Sequence, residues 1–346
     1  MNVLFVSDSS NIQRRVGGIP RYAYELVTRM AGFDSVSMKL CGPSSPSLGA
    51  QVRNAVNIRR LNLKNFDIIH NLMGYRAYIP LKRPRARVIT TAHDFAPVLY
   101  RDLVSQDYSS LKARFQLAAG TSRTIASLQS DYLIANSSQT LEEAAILGFP
   151  RDRIRVVPSG LDERFLQSLR PRANGPVRIG YLGELSTAKN VQAAIRAFKR
   201  VSRPEVRFEI WGDIRSARFP LLNAISSDRR ITYSGFAPEN HIVETYERFD
   251  LMVFPTLYEG FGLPILEAMA RGVPVAILKS SKIPRNIRQY CIKVDGIDGL
   301  TQAMESATPR DPSLKSLVAA ARYAQSLTWE RTARETFAFY KEVLLV

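Results

Sequence analysis

The sequence predicts two tandem α/β domains, each a parallel β-sheet doubly wound by helices. Three observations carry this expectation. Apolar runs of strand length alternate with helical patterns along the chain, a Pro/Gly/polar stretch from Arg170 to Pro176 interrupts the series, and 346 residues exceed what one hydrophobic core usually accommodates.

In the first half the runs are Val3 to Val6, Ser35 to Leu40, Asp67 to His70, Val88 to Thr91, Tyr132 to Ala135 and Ile154 to Val157. They are rich in β-branched residues and nearly continuous in apolar character, as strands covered on both faces must be. After the interruption the pattern resumes with Val177 to Leu182, Arg207 to Trp211, Ile231 to Ser234, Leu251 to Phe254, Val273 to Ile277 and Ile292 to Val294. From Trp329 to Leu345, Ala333, Phe337, Tyr340, Val343 and Leu344 recur at helical spacing and predict a terminal helix. The expected division is therefore 1–170, 171–326 and a helix over 327–346. Ligands of doubly wound sheets bind outside the carboxyl ends of the strands, so the active site is expected there, in the cleft between the domains.

The charge of +17 attracts phosphates, anionic lipid or nucleic acid. It is uneven, with +11 over residues 1–172 and +6 over the remainder. Arg14, Arg15, Arg59, Arg60, Arg83, Arg85, Arg87, Arg101 and Arg114 could form a basic face on the first domain, suited to an anionic membrane surface and a lipid-diphosphate acceptor; solvated surface arginines are the alternative. Nucleic acid is not expected as a partner, because no aromatic-and-basic strand motif or recognition-helix pattern is present. The two cysteines, Cys41 and Cys291, lie far apart and read as core residues in a reducing compartment. The first residues read as a β-strand rather than a signal peptide, and no apolar stretch approaches the roughly 20 residues of a membrane span. The expected location is the cytoplasm, as a soluble protein or one peripheral on the inner face of the plasma membrane.

The most informative segment runs from Phe254 to Val275 and contains Glu259-Gly260-Phe261-Gly262-Leu263-Pro264-Ile265-Leu266-Glu267. A strand ends, a glycine-containing loop follows, and Pro264 falls in a first helical turn, where its missing N–H is no loss. The backbone N–H groups of Phe261, Gly262 and Leu263 then form an anion site suited to a diphosphate. Glu259 and Glu267 would repel phosphate, so they are expected to accept hydrogen bonds from the ribose and hexose hydroxyls of a sugar nucleotide. Gly17 and Gly18, after the first strand, mark a loop where backbone can approach a ligand closely. His93, in Thr91-Ala92-His93-Asp94, sits at a strand's carboxyl end; His70 reads as structural and His241 as a helix-surface residue.

These segments resemble the retaining glycosyltransferases of family four, with the GT-B fold of two Rossmann-like domains across a cleft and a C-terminal helix crossing back to the first. The resemblance covers nearly the whole chain, and its strongest element is the glutamate pair, Glu259 and Glu267, separated by seven residues. It implies that Glu259 and the backbone of Phe261 and Gly262 contact the donor hexose, that Glu267 holds the ribose diol, that Gly17 and Gly18 belong to the family's glycine loop, and that His93 lies close to the transferred sugar. Lys189 occupies the place of the family's diphosphate-neutralising lysine. Two positions depart from the pattern. Glu184 stands where the family often has arginine, and Arg285 follows Ile283-Pro284 where glutamate is common, so the reversed charges could compensate each other.

The function implied is transfer of a hexose, of mannose or glucose type, from a nucleoside diphosphate sugar to a glycan or lipid-linked acceptor, in cell-surface polysaccharide synthesis. Glu259, His93 and Lys189 are the expected catalytic residues. With no Asp-x-Asp and no cluster at metal-ligand spacing, neither a protein-bound divalent ion nor a cofactor beyond the donor substrate is expected. A catalytically silent homologue that binds a sugar nucleotide, or a partner subunit, is the alternative that Glu184 and Arg285 suggest.

Overall fold

The computed structural model describes residues 1–7, 17–33, 36–41, 63–72, 85–105, 127–170, 175–213 and 219–345, with isolated positions between 118 and 125. Arg14, Arg15, Arg59, Arg60, Arg83 and Arg114, and the side chain of Cys41, lie outside the described residues. The chain forms two units: Met1–Tyr100, Leu111–Gly160 and Leu327–Val346 make unit 1, and Arg101–Ser110 with Leu161–Ser326 make unit 2.

Unit 1 holds a parallel sheet of β1 (Asn2–Val6), β2 (Ser37–Cys41), β3 (Ile68–Asn71), β4 (Arg87–Ala92), β5 (Tyr132–Ala135) and β6 (Ile154–Val156), in the order β2-β1-β3-β4-β5-β6. Unit 2 holds β7 (Arg178–Leu182), β8 (Arg207–Trp211), β9 (Ile231–Tyr233), β10 (Leu251–Val253), β11 (Val275–Leu278) and β12 (Ile292–Val294), in the order β12-β11-β10-β7-β8-β9. Every strand pair in both sheets is parallel. The doubly wound parallel architecture expected from the sequence is thus present twice. The run expected to start at Val273 begins as a strand at Val275, because Val273 N–H closes a turn onto Ala268 and Pro274 has no N–H to give a ladder.

The helices that matter for the site are α1 (Gly18–Met30), α2 (Ser138–Ile146), α3 (Val191–Phe198), α4 (Ile242–Glu247), α5 (Leu263–Ala270), α6 (Lys315–Gln325) and α7 (Trp329–Leu345). α2 begins where the Ser137 hydroxyl accepts the Thr140 N–H at 3.1 Å, satisfying one of the unpaired donors of a helix start. α7 belongs to unit 1. Its buried face is Trp329, Thr332, Ala333, Thr336, Phe339, Tyr340 and Val343, which packs on Phe5, Tyr22, Leu26, Ile68 and Ile134. Phe337, expected in that face, stacks on Phe33 at its margin, with centroids 4.9 Å apart, and Leu344 points to solvent.

Polar contacts fix the seat of α7. The Thr332 hydroxyl donates to the Pro158 carbonyl at 2.8 Å, and the fully buried His70 ring lies between the Tyr340 hydroxyl, on its Nδ1, and the Thr91 hydroxyl, 2.8 Å from its Nε2. Burial holds His70 neutral, with its pKa lowered to about 3, and the nearby His93 acts in the same direction. Where the chain reaches the end of its first pass through unit 1, Gly160 lies against the backbone of Thr328 and Trp329. A Cβ on Gly160 would stand 2.2 Å from the Trp329 nitrogen, and backbone cannot yield as a side chain does. Gly160→Ala is therefore expected to destabilise unit 1 by about 2–3 kcal/mol, seen as a lowered Tm; a Tm within a degree of the parent would contradict this packing.

Residues 161–170, expected with the first domain, belong to unit 2. The reason is local: Phe165 is fully buried with its ring 5.8 Å from that of Tyr246, and the neighbouring backbone is bonded by side chains of unit 2.

Candidate active site

In unit 2 the strand order reverses between β7 and β10, and this switch point is where doubly wound sheets open a crevice at their carboxyl ends. The loop after β7 carries Lys189 and the loop after β10 carries Glu259. The Leu257 N–H donates to the Ala188 carbonyl at 2.9 Å, and the Asn190 amide donates to the Pro255 carbonyl at 3.1 Å. Asn190 adopts a left-handed conformation, φ 52° and ψ 34°, which turns the chain directly into α3. The loop after β11 joins the same assembly, with the Glu259 N–H on the Lys282 carbonyl at 2.8 Å and the Ser281 hydroxyl on the Thr256 carbonyl at 2.5 Å.

These loops bring Lys189 Nζ to 2.6 Å from Glu259 Oε1. Glu259 is 7% exposed, so its carboxylate is largely withdrawn from water and its charge is balanced by the half-buried lysine. Three residues further on, Gly262 takes φ 97° and ψ 47°, a backbone that only glycine adopts without cost, and caps α5. Ile265 and Leu266 N–H groups both return to the Gly262 carbonyl, while the N–H groups of Phe261, Gly262 and Leu263 meet no backbone acceptor among the described residues. The helix start therefore has the backbone geometry on which the sequence-based expectation of an anion site rests, on a helix of eight residues. Glu267 follows on α5, 6% exposed, with Oε2 accepting the Tyr246 hydroxyl at 2.7 Å. Lys189, Glu259, Phe261, Gly262, Leu263 and Glu267 thus belong to one neighbourhood of unit 2.

Glu184 is exposed, and its carbonyl accepts the Tyr181 hydroxyl at 2.8 Å. The Tyr181 phenol is pushed well above its ordinary pKa by burial first, then by the charges of Glu259 and Glu184, so it remains a hydrogen-bond donor. Arg285 is exposed as well and forms no ion pair among the described residues, so the two reversed charges do not neutralise each other by direct contact. Among the described residues no three His, Cys, Asp or Glu side chains gather as a metal site.

Unit 1 positions the other predicted residues at the carboxyl edge of its own sheet. Gly17 takes φ 95° at the start of α1, and Gly18 opens the helix, both exposed. His93 follows β4, and its Nε2–H donates to the Leu72 carbonyl at 2.8 Å. The His93 carbonyl is held by the Asn136 amide at 2.9 Å, and the ring meets Tyr22 edge-on, with centroids 5.0 Å apart. Tyr22 lies on α1, so the glycine loop and His93 are joined through it. Sequence reasoning missed Tyr22, Asn136 and Tyr246 as supports of the site; a polar aromatic four residues past the glycine loop was the available signal for the first.

The fold and these loops define a class, the nucleotide-sugar-dependent glycosyltransferases of GT-B architecture. The profile described as Glycosyltransferase Family 4 matches residues 16–165 and that described as Glycosyl transferases group 1 matches residues 176–308, and the chain belongs to this family. Among curated relatives, the D-inositol 3-phosphate glycosyltransferase of Nocardia farcinica is 25% identical over 316 residues, 81% of this chain and 67% of its own. The O-antigen chain mannosyltransferase B of Escherichia coli is 26% identical over 171 residues, 46% of this chain and 45% of that enzyme. Among solved structures, sucrose-phosphate synthase of Thermosynechococcus elongatus superposes with a TM-score of 0.75 at 16% identity, covering 100% of this chain and 99% of that one. Anabaena HepE in complex with UDP and glucose gives a TM-score of 0.68 at 14% identity, covering 99% and 100%.

Proposed function

We propose that the protein transfers a hexose, of mannose or glucose type, from a nucleoside diphosphate sugar to a glycan or lipid-linked acceptor with retention of configuration, in the synthesis of a cell-surface polysaccharide. The observation that carries this reading is the Lys189–Glu259 pair set beside the Gly262–Pro264 helix start at the switch point of unit 2. The curated relatives named D-inositol 3-phosphate glycosyltransferase and O-antigen chain mannosyltransferase B support glycosyl transfer, the second of them also a glycan-chain acceptor and a mannose donor, and a structural neighbour in complex with UDP and glucose supports a nucleotide-sugar donor.

In this mechanism the donor diphosphate lies against the N–H groups of Phe261, Gly262 and Leu263 and takes Lys189 as its counter-ion, so no metal held by the protein is needed. Glu259, released from Lys189, accepts hydrogen bonds from the hexose, and Glu267 from the ribose diol. The bond from the anomeric carbon to the phosphate oxygen breaks as the acceptor oxygen attacks on the same face. The acceptor's proton passes to a donor phosphate oxygen, and the nucleoside diphosphate leaves. His93 is assigned to the transferred sugar, and Gly17 and Gly18 to close backbone contact with substrate. A cytoplasmic site of action, peripheral on an anionic membrane, fits a lipid-linked acceptor; among the described residues no helix is long and apolar enough to cross a membrane.

The test is a thermal-shift panel of nucleoside diphosphates and their sugars. A ligand bound only by the native state at about 100 times its Kd stabilises by roughly 2.7 kcal/mol. One base is expected to shift Tm selectively, and Glu267→Ala, which deletes the diol acceptor, is expected to abolish that shift. Absence of any shift would overturn the donor site. A second reading, a silent homologue that binds the donor without turning it over, is favoured by the exposed Glu184 in the arginine position; donor that binds but is neither transferred nor hydrolysed would establish it.

A further inference from the structure

Arg271, the residue that ends α5, is fully buried, and its guanidinium is spent on a carboxylate and on backbone. Nε donates to Glu247 Oε1 at 3.1 Å, and a second bond runs to the same carboxylate from Nη2. Nη1 donates to the Gln167 carbonyl at 2.8 Å and Nη2 to the Ser168 carbonyl at 3.1 Å. Gln325, the end of α6, donates to the same Gln167 carbonyl at 2.9 Å and to Ala270 on α5 at 3.0 Å. Residues 165–168 lie just after the chain enters unit 2 at Leu161, and Gln325 lies just before it leaves at Ser326. Both connecting stretches are therefore tied, within unit 2, to the carboxyl end of α5.

The other face of this arrangement is the candidate donor site. Glu267 stands one helical turn before Arg271, so the two side chains share a side of α5. Their partners, Tyr246 and Glu247, are adjacent on α4, and α4 and α5 are thus bonded at two successive levels, Tyr246–Glu267 and Glu247–Arg271. A shift of α5 that improves Glu267's hold on a ligand must move Arg271 and the carbonyls it carries.

We propose that Arg271 is a positioning residue that couples occupancy of the Glu267 site to the two connecting stretches, residues 165–168 and Gln325. The proposal rests on the donor-site reading for its ligand and on the hydrogen bonds alone for its mechanics. Coupling of this kind is reciprocal: ligand at Glu267 must tighten 165–168, and loosening 165–168 must weaken the ligand.

Hydrogen–deuterium exchange on the full chain, well below Tm and with UDP and GDP as probes, tests it. In the parent protein the nucleotide that raises Tm is expected to slow exchange at 165–168 on the order of tenfold, although those residues are not in the proposed site. In Arg271→Lys, whose single ammonium cannot reach carboxylate and carbonyls together, the nucleotide is expected to bind more weakly and its effect at 165–168 to disappear. Gln325→Leu, the milder variant, is expected to reduce the effect. Binding with no change at 165–168 in the parent, or an equal change in both variants, would overturn the proposal, since a merely stabilising arginine would lower Tm and leave ligand-dependent protection in place. If neither nucleotide binds the parent, the donor-site reading fails; the coupling is then decided by exchange without ligand. Both variants must loosen residues 263–270 together with 165–168, and loosening of 165–168 alone refutes it.

Discussion

Lys189→Met is expected to lower the transfer rate by about 10²–10³-fold, the usual consequence of removing one charge-stabilising group from a transition state that builds negative charge on a leaving group. It is also expected to weaken nucleoside diphosphate binding and, because Glu259 is then a 7% exposed carboxylate without its cation, to lower stability by about 1–3 kcal/mol. Glu259→Gln separates these effects. The neutral amide no longer competes for Lys189, so diphosphate affinity should hold or rise while transfer falls. Calorimetric titration with the diphosphate and initial rates with the intact donor distinguish the two variants. A Lys189→Met enzyme within twofold of the parent rate, or a Glu259→Gln variant that loses diphosphate affinity, would refute the assigned roles.

The second large effect is on acid stability. The unfolded His70 titrates near 6.5, whereas in the fold burial lowers its pKa to about 3. Between those values the unfolded chain binds a proton that the native state refuses. His70's contribution to stability is therefore fully present above about pH 6.5 and declines as pH falls toward 3, by about 1.4 kcal/mol per pH unit and about 4–5 kcal/mol in all. Carboxylates add their own slopes, so the measurement is a difference. Urea unfolding of the parent and of His70→Asn at pH 7, 5 and 4 should show the variant less stable at pH 7 and the gap closing with acid. Parallel curves would mean that His70 is protonated in the native protein. Loss should begin at α7, because the ring bridges Tyr340 on that helix to Thr91 on β4.

The strands were readable in the sequence because a sheet covered on both faces needs runs such as Ile68-Ile69 and Leu133-Ile134 that exclude water from either side. The donor-site loop was readable because Gly262 and Pro264 each satisfy a backbone requirement that few other residues meet. What could not be read were contacts decided by the packing of distant segments. The Tyr22–His93 and Asn136–His93 contacts join residues 71 and 43 positions apart, and no local period encodes them. Nothing local in the sequence marks Arg271, because its full burial depends on carbonyls more than 100 residues earlier. The charge departures at Glu184 and Arg285 were visible, but only the structure shows both side chains exposed and Arg285 unpaired among the described residues.

Because unit 1 contains both Met1–Tyr100 and Leu327–Val346, the order of synthesis and the order of completion are opposed. Unit 2's main segment, Leu161–Ser326, is contiguous and emerges from the ribosome before α7 exists. Until α7 emerges, the face formed by Phe5, Tyr22, Leu26 and Ile134 has no cover, and His70 has no Tyr340 to meet. The half made first is thus finished second, and in the interval it presents an apolar surface of the kind that chaperones hold and that associates wrongly at high concentration. A truncation a few residues short of Trp329 would make that transient state permanent.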